Sequence, residues 1–284
     1  MTGDKLRFRF AKTGHLRLLS HHDLMRCLER MLRRADVPFK STAGFHPTPR
    51  LVFALSLPLG VVGRDEAVEL ELTRPCDADE TLGRLNAQAP DGLTFTRVSV
   101  VPMKATAMPR RVVYALPLPA ERVPETGERA AGLMRAEKVW VDRLRPSPKR
   151  LNIRPYLRSL TLANGPASAG RGTSAPRPAD AGPFAERYLS LDLWVTQTGT
   201  ARADELVGLL GLSGLLDAGA VLSRDVLELR DEVTNPDPAD APPDGPAESL
   251  PLDPVAVAAP VREEEVNQPA GAHWGASPNG PVVE

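Results

Sequence analysis

Lys5-Leu6-Arg7-Phe8-Arg9-Phe10-Ala11, followed by Ser20-His21-His22-Asp23-Leu24-Met25-Arg26-Cys27-Leu28-Glu29-Arg30-Met31-Leu32-Arg33-Arg34, sets the architecture of this chain. The first run alternates Leu6, Phe8 and Phe10 against Lys5, Arg7 and Arg9, as a half-buried strand with one cationic side does. In the second, the Ser20 hydroxyl can accept from the first free N–H groups of a helix. Asp23 places a carboxylate at the same positive end. Leu24, Leu28, Leu32 and Ala35 form one face of that helix, and His22, Arg26, Arg30 and Arg33 form a second row at the same spacing. Pro38 stops the helix, and a loop with Gly44, Phe45, His46, Pro47 and Pro49 leads into the next strand.

Reading outward, Arg50–Leu55 and Ala67–Leu72 read as a hairpin, Asp77–Ala89 as a helix and Leu93–Val101 as a strand. The order β-α-β-β-α-β predicts a ferredoxin-like unit over residues 1–102, with both helices on one face of an antiparallel sheet. After a connector at 103–109, a similar pattern recurs. Val112–Leu118, Lys138–Leu144, Asn152–Leu162, Tyr188–Val195 and Ala220–Leu229 read as strands. Helices are expected around Thr126–Ala136 and over Ala201–Leu210. Residues 103–230 are therefore expected to form a second ferredoxin-like unit, making the chain an α+β protein. Asn164–Pro183, rich in Ala, Gly, Pro and Ser, is expected to be a mobile insertion (164–183). Residues 231–284 hold eleven prolines and few large apolar residues, and are expected to be a disordered acidic tail. Its sole aromatic is Trp274.

The overall charge of −1 hides an asymmetry. Residues 231–284 carry eleven carboxylates against one arginine, Arg262, which leaves +9 on residues 1–230. A basic folded part favours an anionic partner, with RNA the expected one. Two cysteines, Cys27 and Cys76, provide no disulfide framework and suit a reducing cytoplasm. The start lacks the apolar core of a secretory signal, and no run approaches the roughly 18 apolar residues of a membrane span. A cytoplasmic protein without a membrane partner is expected.

The polar chemistry concentrates in the first helix and the loop after it. His21, Arg26, Arg30, His46 and Arg50 would suit a phosphate or carboxylate, and the loop should bring His46 back to His21 at the helix start. Alternatively, the arginines are a solvated helix face. His15, His21, His22, His46 and Asp23 could be read as metal ligands, but no HExxH or cysteine pair accompanies them. A Ser20/His21/Asp23 triad is set aside because Ser20 is already needed as a cap. Histidine acid–base cleavage of RNA by His21 or His22 with His46 is a second reading. Gly60-Val61-Val62-Gly63 lacks the Lys-Ser/Thr of a phosphate loop. In the second half, Arg154 and Tyr156 could extend the surface with a charge and a stacking ring. Equally, Ile153 and Leu157 could simply anchor a strand beneath solvated bases.

Several stretches resemble the radical SAM-linked protein family, a bacterial domain of unknown function encoded beside a radical SAM protein or fused to its C-terminus. They are Leu6–Phe10, Leu19–Arg26, Gly44-Phe45-His46-Pro47, Leu57-Pro58-Leu59-Gly60-Val61, Ile153-Arg154-Pro155-Tyr156 and Thr198–Leu206. The family's Ser-His-Leu-Asp stands here as Ser20-His21-His22-Asp23, so His22 departs from it. Its Ser-Gln-Gly-Phe-His-Pro loop stands as Thr42-Ala43-Gly44-Phe45-His46-Pro47, which keeps Phe45 and His46 and loses the amide. The resemblance implies a radical SAM protein as partner and no reaction of its own. With no CxxxCxxC motif and two cysteines, the chain cannot ligate a [4Fe–4S] cluster through cysteine alone, so no cofactor is expected in it. The combined expectation is a non-catalytic accessory that recognises an anionic substrate through His21, Asp23, Arg26, Arg30, Phe45, His46, Arg50, Arg154 and Tyr156. The alternatives are a metal-independent endoribonuclease-like enzyme and a structural interaction module.

Overall fold

A computed structural model describes residues 5–145, 147–164, 187–233 and 240–251. The first unit runs β1 (Lys5–Lys12), α1 (His21–Arg34), β2 (Leu51–Phe53), β3 (Val62–Glu71), α2 (Ala78–Asn86) and β4 (Leu93–Val101). The alternation in β1 drives Leu6, Phe8 and Phe10 to the helical side, against Leu24, Leu28 and Leu32 of α1 and Leu85 of α2. Phe8 and Phe95 meet edge to face with centroids 5.6 Å apart. Both helices start on side-chain caps: Ser20 Oγ accepts from the Asp23 N–H at 3.2 Å, and Asp77 accepts from the Glu80 N–H at 2.8 Å. The strands lie in the order β4-β1-β3-β2 and every neighbouring pair is antiparallel, the ferredoxin-like arrangement.

The second unit repeats it with an insertion. It consists of β5 (Pro109–Leu118), α3 (Val123–Arg135), the hairpin β6 (Trp140–Arg143) and β7 (Lys149–Asn152), β8 (Leu157–Ala163), β9 (Arg187–Trp194), α4 (Ala203–Leu209), α5 (Ser213–Asp217) and β10 (Ser223–Leu229). The order β10-β5-β9-β8, again antiparallel throughout, has the connectivity of the first unit. Its core gathers Leu116, Leu118, Leu189, Leu191 and Leu193 beneath Ala130 of α3 and Leu206 of α4. The stretch expected to form a single strand over Asn152–Leu162 is broken instead. β7 ends at Asn152, a short 3-10 turn follows at Arg154–Tyr156, and only then does β8 begin. Pro155 has no N–H for a ladder, so β6 and β7 separate from the main sheet into a small one, which a further strand near residue 250 joins.

The two units share one sheet. β10 lies parallel to β3 through Val62↔Ser223 and Gly63↔Arg224, taking the part of the β3 edge that the short β2 leaves open. So short a ladder contributes little by itself; side chains complete the join. Arg224, fully buried on β10, forms a two-pronged pair with Glu66 of β3, with Nε to Oε1 at 2.8 Å. Its remaining donors reach the carbonyls of Leu55 (3.1 Å) and Ser56 (3.2 Å). Arg9 of β1 reaches across to the Leu227 carbonyl at 2.7 Å, and Arg64 pairs with Asp225 at 3.1 Å. Gly63 leaves room for the side chain that Arg224 grips, because a Cβ there would lie 2.6 Å from Glu66 Cγ and 2.9 Å from Leu57 Cδ2.

Some residues of the expected acidic tail are held against the body. Asp231, Glu232 and Asp240 are ion-paired to the body, and β11 (Ser249–Pro251) pairs with β7. Composition reports the scarcity of apolar anchors but not the arginines waiting for carboxylates. The rest of that tail, 252–284 with Trp274, lies outside the described residues, as does the expected insertion from 165 to 183.

Removing one partner of a buried pair strands the other charge. Glu66→Gln should therefore lower unfolding free energy by about 3–5 kcal/mol, measured by urea denaturation. Arg30→Ala, on the exposed face of α1, should change it by less than about 0.5 kcal/mol.

Candidate functional site

α1 turns Leu24, Leu28, Met31 and Leu32 inward, which leaves Arg26, Arg30, Arg33 and Arg34 exposed. Arg26 sits 3.6 Å from Asp23 and Arg33 sits 2.8 Å from Glu29, both partners on the same helix. Such exposed i,i+3 and i,i+4 pairs contribute only tenths of a kcal/mol and yield readily to another anion. Arg30 and Arg34 make no ion pair among the described residues. Asp23 also accepts from the Ser20 hydroxyl at 2.7 Å, so it shapes the helix start rather than facing a ligand alone.

The loop after α1 is braced at its stem. The Thr42 N–H donates to the Thr48 carbonyl at 2.8 Å, the Thr48 N–H to Thr42 Oγ1 at 3.1 Å, and the Arg50 N–H to the Lys40 carbonyl at 2.9 Å. At the tip Gly44 takes φ 135°, in a region side chains rarely adopt, and Phe45 stands fully exposed beside exposed His46. Thr48 and Pro49 close a cleft of about 170 Å³ against His22, Met25, Arg26 and Glu29. The loop thus meets the helix at His22, whereas His21 turns away onto Phe53, with ring centroids 4.8 Å apart. Burial, with His22 and Lys12 nearby, holds His21 below the ordinary histidine range, so it is neutral at pH 7. Arg50 pairs with Glu71 at 3.3 Å, a carboxylate shared with Lys40.

The second-half candidates are structural. Arg154 donates to the carbonyls of Met134 (2.8 Å), Ala136 (3.1 Å) and Leu157 (3.2 Å), which caps the end of α3. Tyr156 is buried in the second core, so the expected stacking surface from these two does not form. Pro155 places both residues in a turn rather than on a strand face. Among the described residues no three His, Cys, Asp or Glu side chains converge as metal ligands do.

On the helix-free side of each unit, cations meet carboxylates that follow β10. Lys5 and Arg7 of β1 pair with buried Glu69, and Arg7 also holds Asp231 at 2.7 Å. Arg9 pairs with Glu232. In the second unit Arg158 bridges Asp192 and Asp240, each at 2.6 Å, and the guanidiniums of Arg110 and Arg158 lie 4.8 Å and 5.4 Å from the centroid of Trp194. The cationic side of β1 is consequently unavailable to an outside anion. The hydrogen bond from Arg7 holds Asp231 below the ordinary carboxylate range, and Arg158 does the same for Asp240.

Sequence reasoning missed the junction of the units. Arg17, Tyr114, Arg202 and Arg224 line a cavity of about 780 Å³ there, together with the stretches Pro58–Val61 and Thr200–Asp204. The two stretches were singled out as motifs, but only topology brings them to one place.

A family model described as an uncharacterized protein conserved in bacteria, DUF2344, matches residues 5–182. No curated protein matches the chain. Among solved structures, the crystal structure of an unknown protein from Galdieria sulphuraria is similar over 80% of this chain and 98% of that one. The identity is 12% and the TM-score 0.23, a likeness that carries no argument.

Because the folded pKa values of Asp231 and Asp240 are depressed, their contribution is present above about pH 4 and is lost as pH falls through the lowered values. Residues 240–251 should therefore hold slow amide exchange at pH 7. Asp231→Asn with Asp240→Asn should speed exchange there at pH 7 while leaving β1 and β3 unchanged, as read by hydrogen–deuterium exchange.

Proposed function

The chain belongs to the DUF2344 family of proteins conserved in bacteria, and on that premise we propose that it is a recognition module that presents RNA to a partner enzyme. Phe45 carries the reading: its ring stands wholly in solvent at the tip of a braced loop whose stem, at Thr48 and Pro49, closes onto α1 at His22, Met25 and Arg26. A bare aromatic next to cations is the arrangement that binds single strands, with bases stacking on the ring and phosphates meeting the arginines. Arg26, Arg30, Arg33 and Arg34 supply those charges at low desolvation cost, because none is buried. Arg50 and His46 extend the surface along the loop.

The link to a radical SAM enzyme rests on the sequence motifs, above all Ser20-His21-His22-Asp23 and Gly44-Phe45-His46-Pro47. In this reading the partner performs the chemistry and the present chain holds the substrate. The acid–base alternative has less support, since His21 packs on Phe53 while His22 faces the loop stem.

Fluorescence anisotropy with a labelled single-stranded RNA tests the proposal. Phe45→Ala should weaken binding by about 1–3 kcal/mol. Arg26→Ala with Arg30→Ala should weaken it further and flatten the log–log salt slope by about 0.7 per lost contact. RNA that binds with the same affinity and slope to these folded variants, or does not bind the parent chain, would overturn the reading.

A further inference from the structure

The junction between the units encloses a site of a different kind. One wall comes from the first unit, with Leu18 of the 3-10 turn Gly14–Leu18 and the stretch Leu55–Val61. The other comes from the second, with Ala201, Ala203, Leu216 and Ala220–Leu222. The walls are mainly aliphatic, and the volume of about 780 Å³ is within the range that holds a small organic molecule. Besides buried Tyr114 and Arg224, three ionisable side chains that are not buried line it: Arg17, Arg202 and Asp204. Arg17 spends one hydrogen bond on the Gly14 carbonyl at 3.1 Å, and neither it nor Arg202 makes an ion pair among the described residues. Two guanidiniums against one carboxylate leave an excess positive charge beside low-dielectric walls, where attraction for an anion is stronger than in open water.

The floor adds a directional group. Tyr114 is 6% exposed, and its hydroxyl accepts from Arg224 at 3.5 Å. No acceptor for its own proton occurs among the described residues, so that proton is free to donate into the cavity. Burial keeps Tyr114 a neutral phenol. Arg224 itself is saturated by Glu66 and the carbonyls of Leu55 and Ser56, and it fixes the tyrosine oxygen in place.

We propose that this cavity is a binding site for a small amphipathic anion, with an apolar body against the aliphatic walls, a carboxylate or phosphate held by Arg17 and Arg202, and a polar atom accepting from Tyr114. The site shares no residue with the Phe45 surface, so loss of RNA binding would leave it standing.

Titration of the full chain with 8-anilinonaphthalene-1-sulfonate, a fluorescent amphipathic anion, is the direct test. One saturable site per chain is expected. Decanoate and decyl phosphate should displace the probe, the better competitor identifying the head group, and neutral decanol should compete at least about tenfold more weakly. Arg17→Gln with Arg202→Gln should weaken the anions by about tenfold or more and leave decanol unchanged. Ala220→Trp should abolish the site by filling it. These arginines are not buried, so that variant keeps its fold and decides the matter even if Ala220→Trp does not. Absence of saturable binding, equal competition by decanol and decanoate, or anion affinity indifferent to the double arginine change would each overturn the proposal.

Discussion

The pairing of Arg224 with Glu66 is the constraint around which this protein is arranged. A guanidinium keeps its charge under all conditions a protein meets, so burying it demands a full set of acceptors. Here the acceptors come from three segments: a carboxylate on β3 and carbonyls from Leu55 and Ser56, with Tyr114 of β5 adding its oxygen. Burial alone would lower the Arg224 pKa, but Glu66 overrides it and the group is held more firmly charged. The segment Leu55–Val61 is thereby fixed against the second unit, and the cavity acquires both of its walls. Lys12, also buried, is a second charge in the neighbourhood. Burial lowers its pKa while the Leu19 carbonyl accepts its proton at 3.1 Å. Polar groups satisfied in this way do less to add stability than to forbid alternative dockings of the two sheets.

The fold was legible because its signals are local. Alternation in β1, the Ser20 cap and the leucine spacing of α1 each depend on neighbouring residues, and all persist in the structure. The doubling of the β-α-β-β-α-β pattern was readable for the same reason. What escaped was set by distant partners. The parallel meeting of β3 and β10 leaves no trace in either strand, and Arg224 reads as one more base in a strand. Arg154-Pro155-Tyr156 looked like an exposed basic and aromatic patch, yet three carbonyls and a core position claim it.

Charge counting was misleading in an instructive way. The excess of +9 on residues 1–230 suggested a broad cationic surface. Lys5, Arg7 and Arg9 are buried, and Asp231, Glu232 and Glu69 neutralise much of their charge. Asp231, Glu232 and Asp240, which follow β10, act as part of the fold. The α1 cations stay open to an outside partner, because their described counter-charges are short-range pairs within the helix.

The position of β10 in the chain has a consequence for biosynthesis. It is the central strand of the joined sheet, yet it is the tenth of the eleven described strands to leave the ribosome. During translation the first unit can close on its own, since β1 to β4 are all present by Val101. Its β3 edge next to Val62 and Gly63 then stays unpaired, and Glu66 lacks its guanidinium partner, until Arg224 emerges. The second unit waits for the same strand, because β5 needs β10 on its outer side. One late segment therefore closes both halves at once, and a nascent chain stalled before it would expose an open strand edge of the kind that recruits chaperones or aggregates.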